Sequence, residues 1–509
     1  MKRLLFTLLL FGQGFLFQLT HANDLNITVS DPAIGTRNAL TKTVPINFTV
    51  SWKNSWRVNG GQNNWDAVWL FVKFRNLNHD YWQHASLTFD SGHSASGGII
   101  ESSDDTGTGV SKGVFLYSAI EKSQGDASYD VTLQWEYGKD NQGDNDTFEV
   151  QIFGIEMVYV PTGQFYLGTP DNESYSFHMY YENGVGTIQR NIPYTVGSED
   201  AITIGTTAGN LYYNTSNLSG TLQDGTLPAD YPKGYQAFYC MKYEITQSQY
   251  ADFLNTLSSG QLVECHINSF VLYRNNLEKS GDTYSSSTPS VPQGFMTANN
   301  LLSYLDWAAL RPMTELEFEK ACRGTLPAVG LEYPWGTADV VTDILEISSG
   351  GTENEVISTG YSTTAGNANY YTITKDNINS PTRVGIFADH ASSTGRVTAG
   401  ATYYGIMDMG GNIFETCVSV AHADGRAYTG IHGDGALDNA GNHNTENWPG
   451  PYTISDPNDT SETGDKGLGQ RGGGFRTIET FMYTSARTYA AFYNGGNGYG
   501  GGRGVRTAP

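Results

Sequence analysis

The sequence predicts an α+β protein, with an all-β sandwich domain leading and an irregular, glycine-rich domain following. Three observations predict it. Residues 24 to about 155 carry alternating or aromatic-rich segments parted by Gly, Asn, Asp and Ser turns, with no helical period of comparable length. Sixty glycines divide the remainder into short pieces. Only two stretches after residue 156 carry clear helix-start signals. At 509 residues the chain is long enough for two or three domains, and 39% hydrophobic residues suit a buried core rather than disorder.

Taken in order, the chain opens with Met1-Lys2-Arg3, an apolar run from Leu4 to Phe17, and Thr20-His21-Ala22 before Asn23. That layout predicts a cleavable signal peptide over residues 1–22. The run is short for a membrane anchor and is broken by Gly12, Gln13 and Gly14, and no cysteine follows it to take a lipid. The mature chain is therefore expected to be exported, whether periplasmic, cell-surface or secreted, with no transmembrane segment. Residues 23–155 then read as an immunoglobulin-like β-sandwich, from strands such as Val44 to Trp52, Ala67 to Phe74 and Tyr129 to Trp135. Trp56, Trp65 and Trp82 could form a carbohydrate platform there, although sandwich core is the ordinary role for such residues.

The third segment, residues 156–509, holds the two helices. The first runs from Thr246 to Leu254 with Thr246 as N-cap and Tyr250, Phe253, Leu254 and Leu257 on one face. The second runs from Thr314 to Cys322, where Thr314 and Glu317 form a capping box and Arg323-Gly324 ends the helix. An apolar stretch from Leu301 to Leu310 is a further candidate.

Only 16% of the residues are charged, against about 25% in an ordinary soluble domain. With 29 basic and 52 acidic residues the net charge is −23, which repels phosphate backbones and excludes nucleic acid as an expected partner. Acidic loops can hold hard cations, so calcium is admitted. Cys240, Cys265, Cys322 and Cys417 have no zinc or C-x-x-C spacing. In an exported chain they admit two disulfides in any of three pairings, or buried free thiols. The ten histidines show no metalloenzyme spacing. His422, Asp424, His432 and Asp434 could hold a metal, with a solvated loop as the ordinary role.

Several blocks, met in sequence, resemble the formylglycine-generating enzyme family, or sulfatase-modifying-factor domain. They are MVYVPTGQFYLG from Met157, FYCMKYEITQSQY from Phe238, RPMTELEFEKACRG from Arg311, Tyr333-Pro334-Trp335-Gly336, and GIMDMGGNIFE from Gly405. Arg471-Gly472-Gly473-Gly474-Phe475, Ser485-Ala486-Arg487 and Gly504-Val505-Arg506 complete the set. The resemblance covers residues 156 to the C-terminus and implies an irregular fold similar to a C-type lectin, with structural calcium.

The family's oxidase chemistry uses two cysteines, five positions apart, downstream of the R-G-G-S-[WF] block, to bind copper(I). Thiolates suit that soft ion. Here the corresponding positions hold Thr477 and Met482, and no cysteine follows Cys417. A related iron-dependent branch needs three histidines that have no counterpart in this chain. Copper is therefore not expected. One calcium site implied by the resemblance uses Asp408, Gly411, Ile413 and Glu415. A second uses Asn369, Tyr370, Asp376 and Ile378, with a shorter spacing than the family's. The expected function is an exported, calcium-stabilised member without oxidase activity that binds a protein or glycan ligand at a surface or envelope. The alternative is a formylglycine-generating oxidase, or a related metal-dependent oxidoreductase, acting on secreted proteins such as sulfatases.

Overall fold

A computed structural model describes residues 27–509 except 80, 172, 174, 183–187, 217–218, 221, 223, 268–271, 372–377, 450–466 and 493–495. The expected signal peptide lies outside the described residues, as does Asp376. No helix among the described residues is long and apolar enough to cross a membrane.

The first third is a pair of packed antiparallel sheets. One contains β1 (Ile27–Val29) and β2 (Val44–Val58); the other contains β3 (Asn64–Asn76) and β4 (Val114–Ser118). The chain then returns as β5 (Lys122–Trp135), which pairs with β2 in a register that sets Val131 opposite Phe48. β6 (Phe148–Val160) pairs with β3, setting Ile152 opposite Val72. Side chains alternate across a strand, so β3 sends Val68, Leu70, Val72 and Phe74 between the two sheets. Trp65, Ala67, Trp69 and Phe71 face the other way, into a second core. This explains the unbroken apolar run in the sequence: β3 is buried on both faces.

That second core belongs to the rest of the chain. β6 runs straight through position 155 and pairs at its far end with β7 (Phe238–Met241), Val158 opposite Cys240. Helices α1 (Gln247–Asn255) and α2 (Ala298–Trp307) pack on the outward faces of β3 and β6. Trp307 meets Phe71 and Phe153 edge-on at 5.2 and 5.0 Å between ring centres. β8 (Arg311–Pro312) leads into α3 (Glu315–Arg323). A separate small sheet is formed by β9 (Phe414–Val418), β10 (Leu468–Arg471) and β11 (Gly500–Gly501). The C-terminal β12 (Gly504–Thr507) inserts between β7 and β8, so one sheet continues from the sandwich into the second region.

The sequence signals for α1 and α3 match the structure: Thr246 with Gln249, and Thr314 with Glu317, form reciprocal capping boxes. α2 differs from its expected span. It starts at a third capping box, Thr297 with Asn300, and stops at Trp307. Ala309 turns left-handed at φ 54° and the Leu310 N–H returns to the Leu305 carbonyl at 2.8 Å, ending the helix before the apolar run ends.

Two alternatives that the sequence left open are closed. All four cysteines are buried free thiols, so the disulfide alternative fails. Cys240, Cys322 and Cys417 fill one apolar cluster. The three tryptophans form no common platform: Trp65 is stacked between Tyr117 and Tyr159, at 5.0 and 3.9 Å. Trp56 lies under the Lys242 ammonium, and Trp82 under the Arg75 guanidinium.

Because β3 serves two cores, Phe71→Ala is expected to cost about 3–5 kcal/mol. Tryptophan fluorescence and far-UV circular dichroism, followed through a denaturant titration, should shift together rather than separate into two transitions.

Candidate functional site

Helix α3 organises the region around the Arg471 to Phe475 turn. Its first residue, Glu315, is fully buried and takes a two-point contact from Arg487, Nε at 2.7 Å and Nη2 at 2.9 Å. Arg471 reaches the same carboxylate at 3.1 Å and Glu319, one turn on, at 2.8 Å. Glu317 receives both terminal nitrogens of Arg311, at 2.9 and 2.6 Å, while accepting the Thr314 N–H. Arg323 pairs with Glu332 and donates to the carbonyls of Tyr166 and Gly168. Burial alone would raise the Glu315 pKa, but Arg487 and Arg471 hold it below the usual carboxylate range.

The turn itself is closed by Thr477. Its hydroxyl accepts the Gly474 N–H at 2.8 Å and donates to the Gly474 carbonyl at 3.0 Å. Its own carbonyl accepts the Tyr371 N–H at 2.9 Å. Met482 is fully buried, packed in a cluster with Trp335, Tyr370, Ile386 and Phe387. Burial pushes the Cys240 and Cys265 thiols up to about 12 and drives Cys322 and Cys417 well above the ordinary thiol range. A thiolate nucleophile or soft-metal ligand needs the opposite shift. Two surface cavities lie away from Thr477 and Met482. One, of about 240 Å³, is lined by Arg311, Glu317, Glu199 and Asp230. The other, of about 630 Å³, lies on the sandwich against Asn47, Thr49, Asp130 and Thr132.

The loop from Asp408 to Glu415 is interior, not a surface turn. Asp408 is 9% exposed and Glu415 fully buried. Asp408 and Asn412 are non-glycine residues in the left-handed region, at φ 58° and 61°. Gly411 lies between them at φ 89°, where a Cβ would meet the Asn369 carbonyl oxygen at 2.7 Å. The Asp408 carboxylate accepts the Gly385 N–H at 2.6 Å and is pushed up to about 6 by burial. Glu415 pairs through one oxygen with Arg503, and its other oxygen is buried with no hydrogen-bond partner. Burial also raises the Glu244 carboxyl, and the Asp408 and Glu415 charges raise it further. Three buried carboxylates thus share the field of Arg503.

Of the second expected set, Asn369 and Tyr370 are buried and Ile378 is half-buried, with Asp376 outside the described residues. The two sets meet through one backbone bond, Asn412 N–H to the Asn369 carbonyl at 2.8 Å. The Asn369 side-chain oxygen is buried without a partner. Among the described residues no group of three or more His, Cys, Asp or Glu side chains is placed to hold a metal ion.

That finding also corrects the His422, Asp424, His432 and Asp434 constellation, which the fold does not assemble. The His422 ring accepts the Asp424 N–H, capping a short exposed helix from Ala423 to Arg426. His432 is turned inward, accepting the Thr507 N–H at 3.1 Å, and burial pushes it down to about 3. Asp434 stands beside Asp306, whose carboxylate accepts the Asp434 and Asn444 N–H groups. The sequence reading gave no role to Glu244, Asn412 or Arg503. A signal for Glu244 existed: a charged residue in the apolar run from Phe238 to Ile245 must find a partner.

Two outcomes are expected here. Glu315→Gln, which weakens the pairing of two buried guanidinium groups, should cost about 3–5 kcal/mol at neutral pH. The Glu315 contribution is present above pH about 4.5 and lost as pH falls through its depressed pKa, so the variant should show a shallower acid limb in a stability titration. Asp306 has the opposite sign. Burial, then the Asp434 charge, raise it to about 7, so its contribution is present at low pH and lost as pH rises through about 7. Melting temperatures of Asp306→Asn across pH 5 to 8.5 should lack that decline.

No curated protein matches the chain. Among solved structures 24 chains match. One is Treponema denticola variable protein 1, at 13% identity, covering 70% of this chain and 95% of that one, with a TM-score of 0.31. A likeness of that size carries no functional argument. The model of the sulfatase-modifying factor enzyme 1-like domain matches residues 142–481, more than half of the chain. The match begins in the loop before β6, the strand that joins the two cores. The chain belongs to the sulfatase-modifying factor enzyme 1-like family.

Proposed function

We propose that the protein is exported and that its sulfatase-modifying-factor domain binds or builds rather than oxidises, serving as a surface or envelope module tied together by calcium. The observation that carries this reading is the chemistry at the two positions that correspond to the family's cysteines. Thr477 spends its hydroxyl on closing a turn, and Met482 spends its side chain on an apolar core. A copper(I) oxidase needs paired thiolates there, and a lone buried thioether cannot replace them. The remaining thiols are buried and held protonated, which removes them as substitutes. Export rests on the basic, apolar and small-residue layout of residues 1–22. The ligand is a protein or a glycan, since a net charge of −23 disfavours polyanions.

Calcium suits the oxygen donors of the Asp408 to Glu415 loop. Asp408, Glu415 and the carbonyls of Gly411 and Ile413 would hold it, with Asn369, Tyr370, Asp376 and Ile378 as a second set. Bound there, calcium would supply positive charge to a region where the buried carboxylates of Glu244, Asp408 and Glu415 outnumber the Arg503 and Arg383 guanidinium groups that face them. The unpartnered oxygens of Glu415 and Asn369 favour this reading.

Two measurements test the proposal. Purified mature protein loaded with copper should fail to oxidise the cysteine of a C-x-P-x-R peptide; chelator-sensitive turnover would refute the binding role. Calcium at about a hundredfold above its dissociation constant should stabilise the fold by on the order of 3 kcal/mol. Melting temperature should therefore fall in EDTA. Glu415→Gln should lower it in every buffer, by stranding Arg503, and should also remove the difference between calcium and EDTA. Met482→Leu should leave that difference intact. An unchanged wild-type melting temperature in EDTA, with no calcium copurifying, would end the calcium assignment.

A further inference from the structure

We infer that Glu244 is a positioning residue for the cation loop, fixing the backbone between Gly411 and Ile413 from behind through Asn412. The inference rests on the calcium reading above and adds a residue that reading does not use. Glu244 is fully buried and follows β7 on the continuous sheet, remote in sequence from the loop it holds. One carboxylate oxygen accepts the Ile413 N–H at 2.9 Å, and the other accepts the Asn412 amide at 2.7 Å. With both oxygens committed to the loop, Glu244 acts on its shape.

Asn412 is where that shape is decided. Its φ of 61° is one that asparagine tolerates better than other side chains, and hydrogen bonds on every side fix it there. Its N–H donates to the Asn369 carbonyl and its carbonyl accepts the Phe475 N–H, both at 2.8 Å. Its side-chain oxygen accepts the Thr382 N–H at 2.9 Å, and its side-chain nitrogen donates to Glu244. One residue therefore pins the second candidate loop, the glycine-rich turn and the sheet to the same point. The Glu244 contact sets which way the flanking carbonyls face. Outer groups that orient ligands in this way change metal affinity by about 10–100-fold when removed.

The test uses the full mature chain with calcium as the only probe, read by calorimetric titration and by melting temperature in calcium against EDTA. In Glu244→Gln a nitrogen confronts the Asn412 nitrogen, so calcium affinity should fall at least about tenfold and the calcium-dependent rise in melting temperature should shrink. Glu244→Asp, one methylene short, should fall between. The paired exchange Glu244→Gln with Asn412→Asp restores a donor facing an acceptor and keeps the net charge, so most of the affinity should return. A purely structural Glu244 would lower melting equally in both buffers and leave the calcium increment whole, which overturns the inference. So does a paired exchange that folds yet binds as weakly as Glu244→Gln. A wild type that ignores calcium removes the calcium reading, and this inference with it. That result is distinct from wild-type binding that Glu244→Gln leaves unchanged.

Discussion

The structure depends on putting arginine inside. Arg311, Arg323, Arg471, Arg487, Arg503 and Arg506 are all fully buried. A guanidinium cannot lose its proton to ease that burial, so each must be met by a carboxylate or by carbonyls in good geometry. Helix α3 provides half of the carboxylates, placing Glu315 and Glu319 one turn apart so that Arg471 bridges them. Arg503 is met by Glu415, and Arg506 by Asp105 from the sandwich. Segments distant in sequence, with little regular structure of their own, are thereby held to one frame. An irregular fold tolerates its many loops because these pairs fix where the loops begin and end.

The same constraint explains why the two halves are not independent. Arg506 lies over the Trp69 ring while reaching Asp105, and the Trp69 indole donates to the Ala308 carbonyl. Lys73, buried on β3, donates to the carbonyls of Trp307 and Gly435. Burial lowers its pKa well below that of a free lysine, a shift that the nearby Asp306 and Asp434 oppose. Trp69 and Lys73 reach from the sandwich into the second region, and Arg506 reaches back from it. The sandwich thus contributes Trp65, Trp69 and Phe71 to a core shared with the second region.

The turn after Arg471 is closed by the Thr477 hydroxyl, and the Met482 thioether is packed in an apolar core beyond it. A fold preserves geometry through its buried pairs, and those are independent of the few side chains that perform a reaction. The interior loop from Asp408 to Glu415 is held by Glu244 through Asn412 and Ile413.

The sequence by itself determined what depends on local signals. Capping residues at Thr246 and Thr314 placed two helices, since a side chain three residues from its backbone partner needs no tertiary contact to find it. Alternation placed the strands, and the ordered blocks from Met157 to Arg506 carried the family. That no cysteine follows Cys417 was also legible, because it is a fact of sequence. Tertiary structure alone decided the partners. Glu415 meets Arg503, Glu244 meets Asn412, and His432 turns away from His422 toward Thr507. Buried pairing is set by which strands become neighbours, and strand order is a long-range outcome that no local pattern encodes. For the same reason only the fold shows that β6 runs on through residue 155. A strand buried on both faces reads as one apolar run, and only the fold reveals that the run serves two cores.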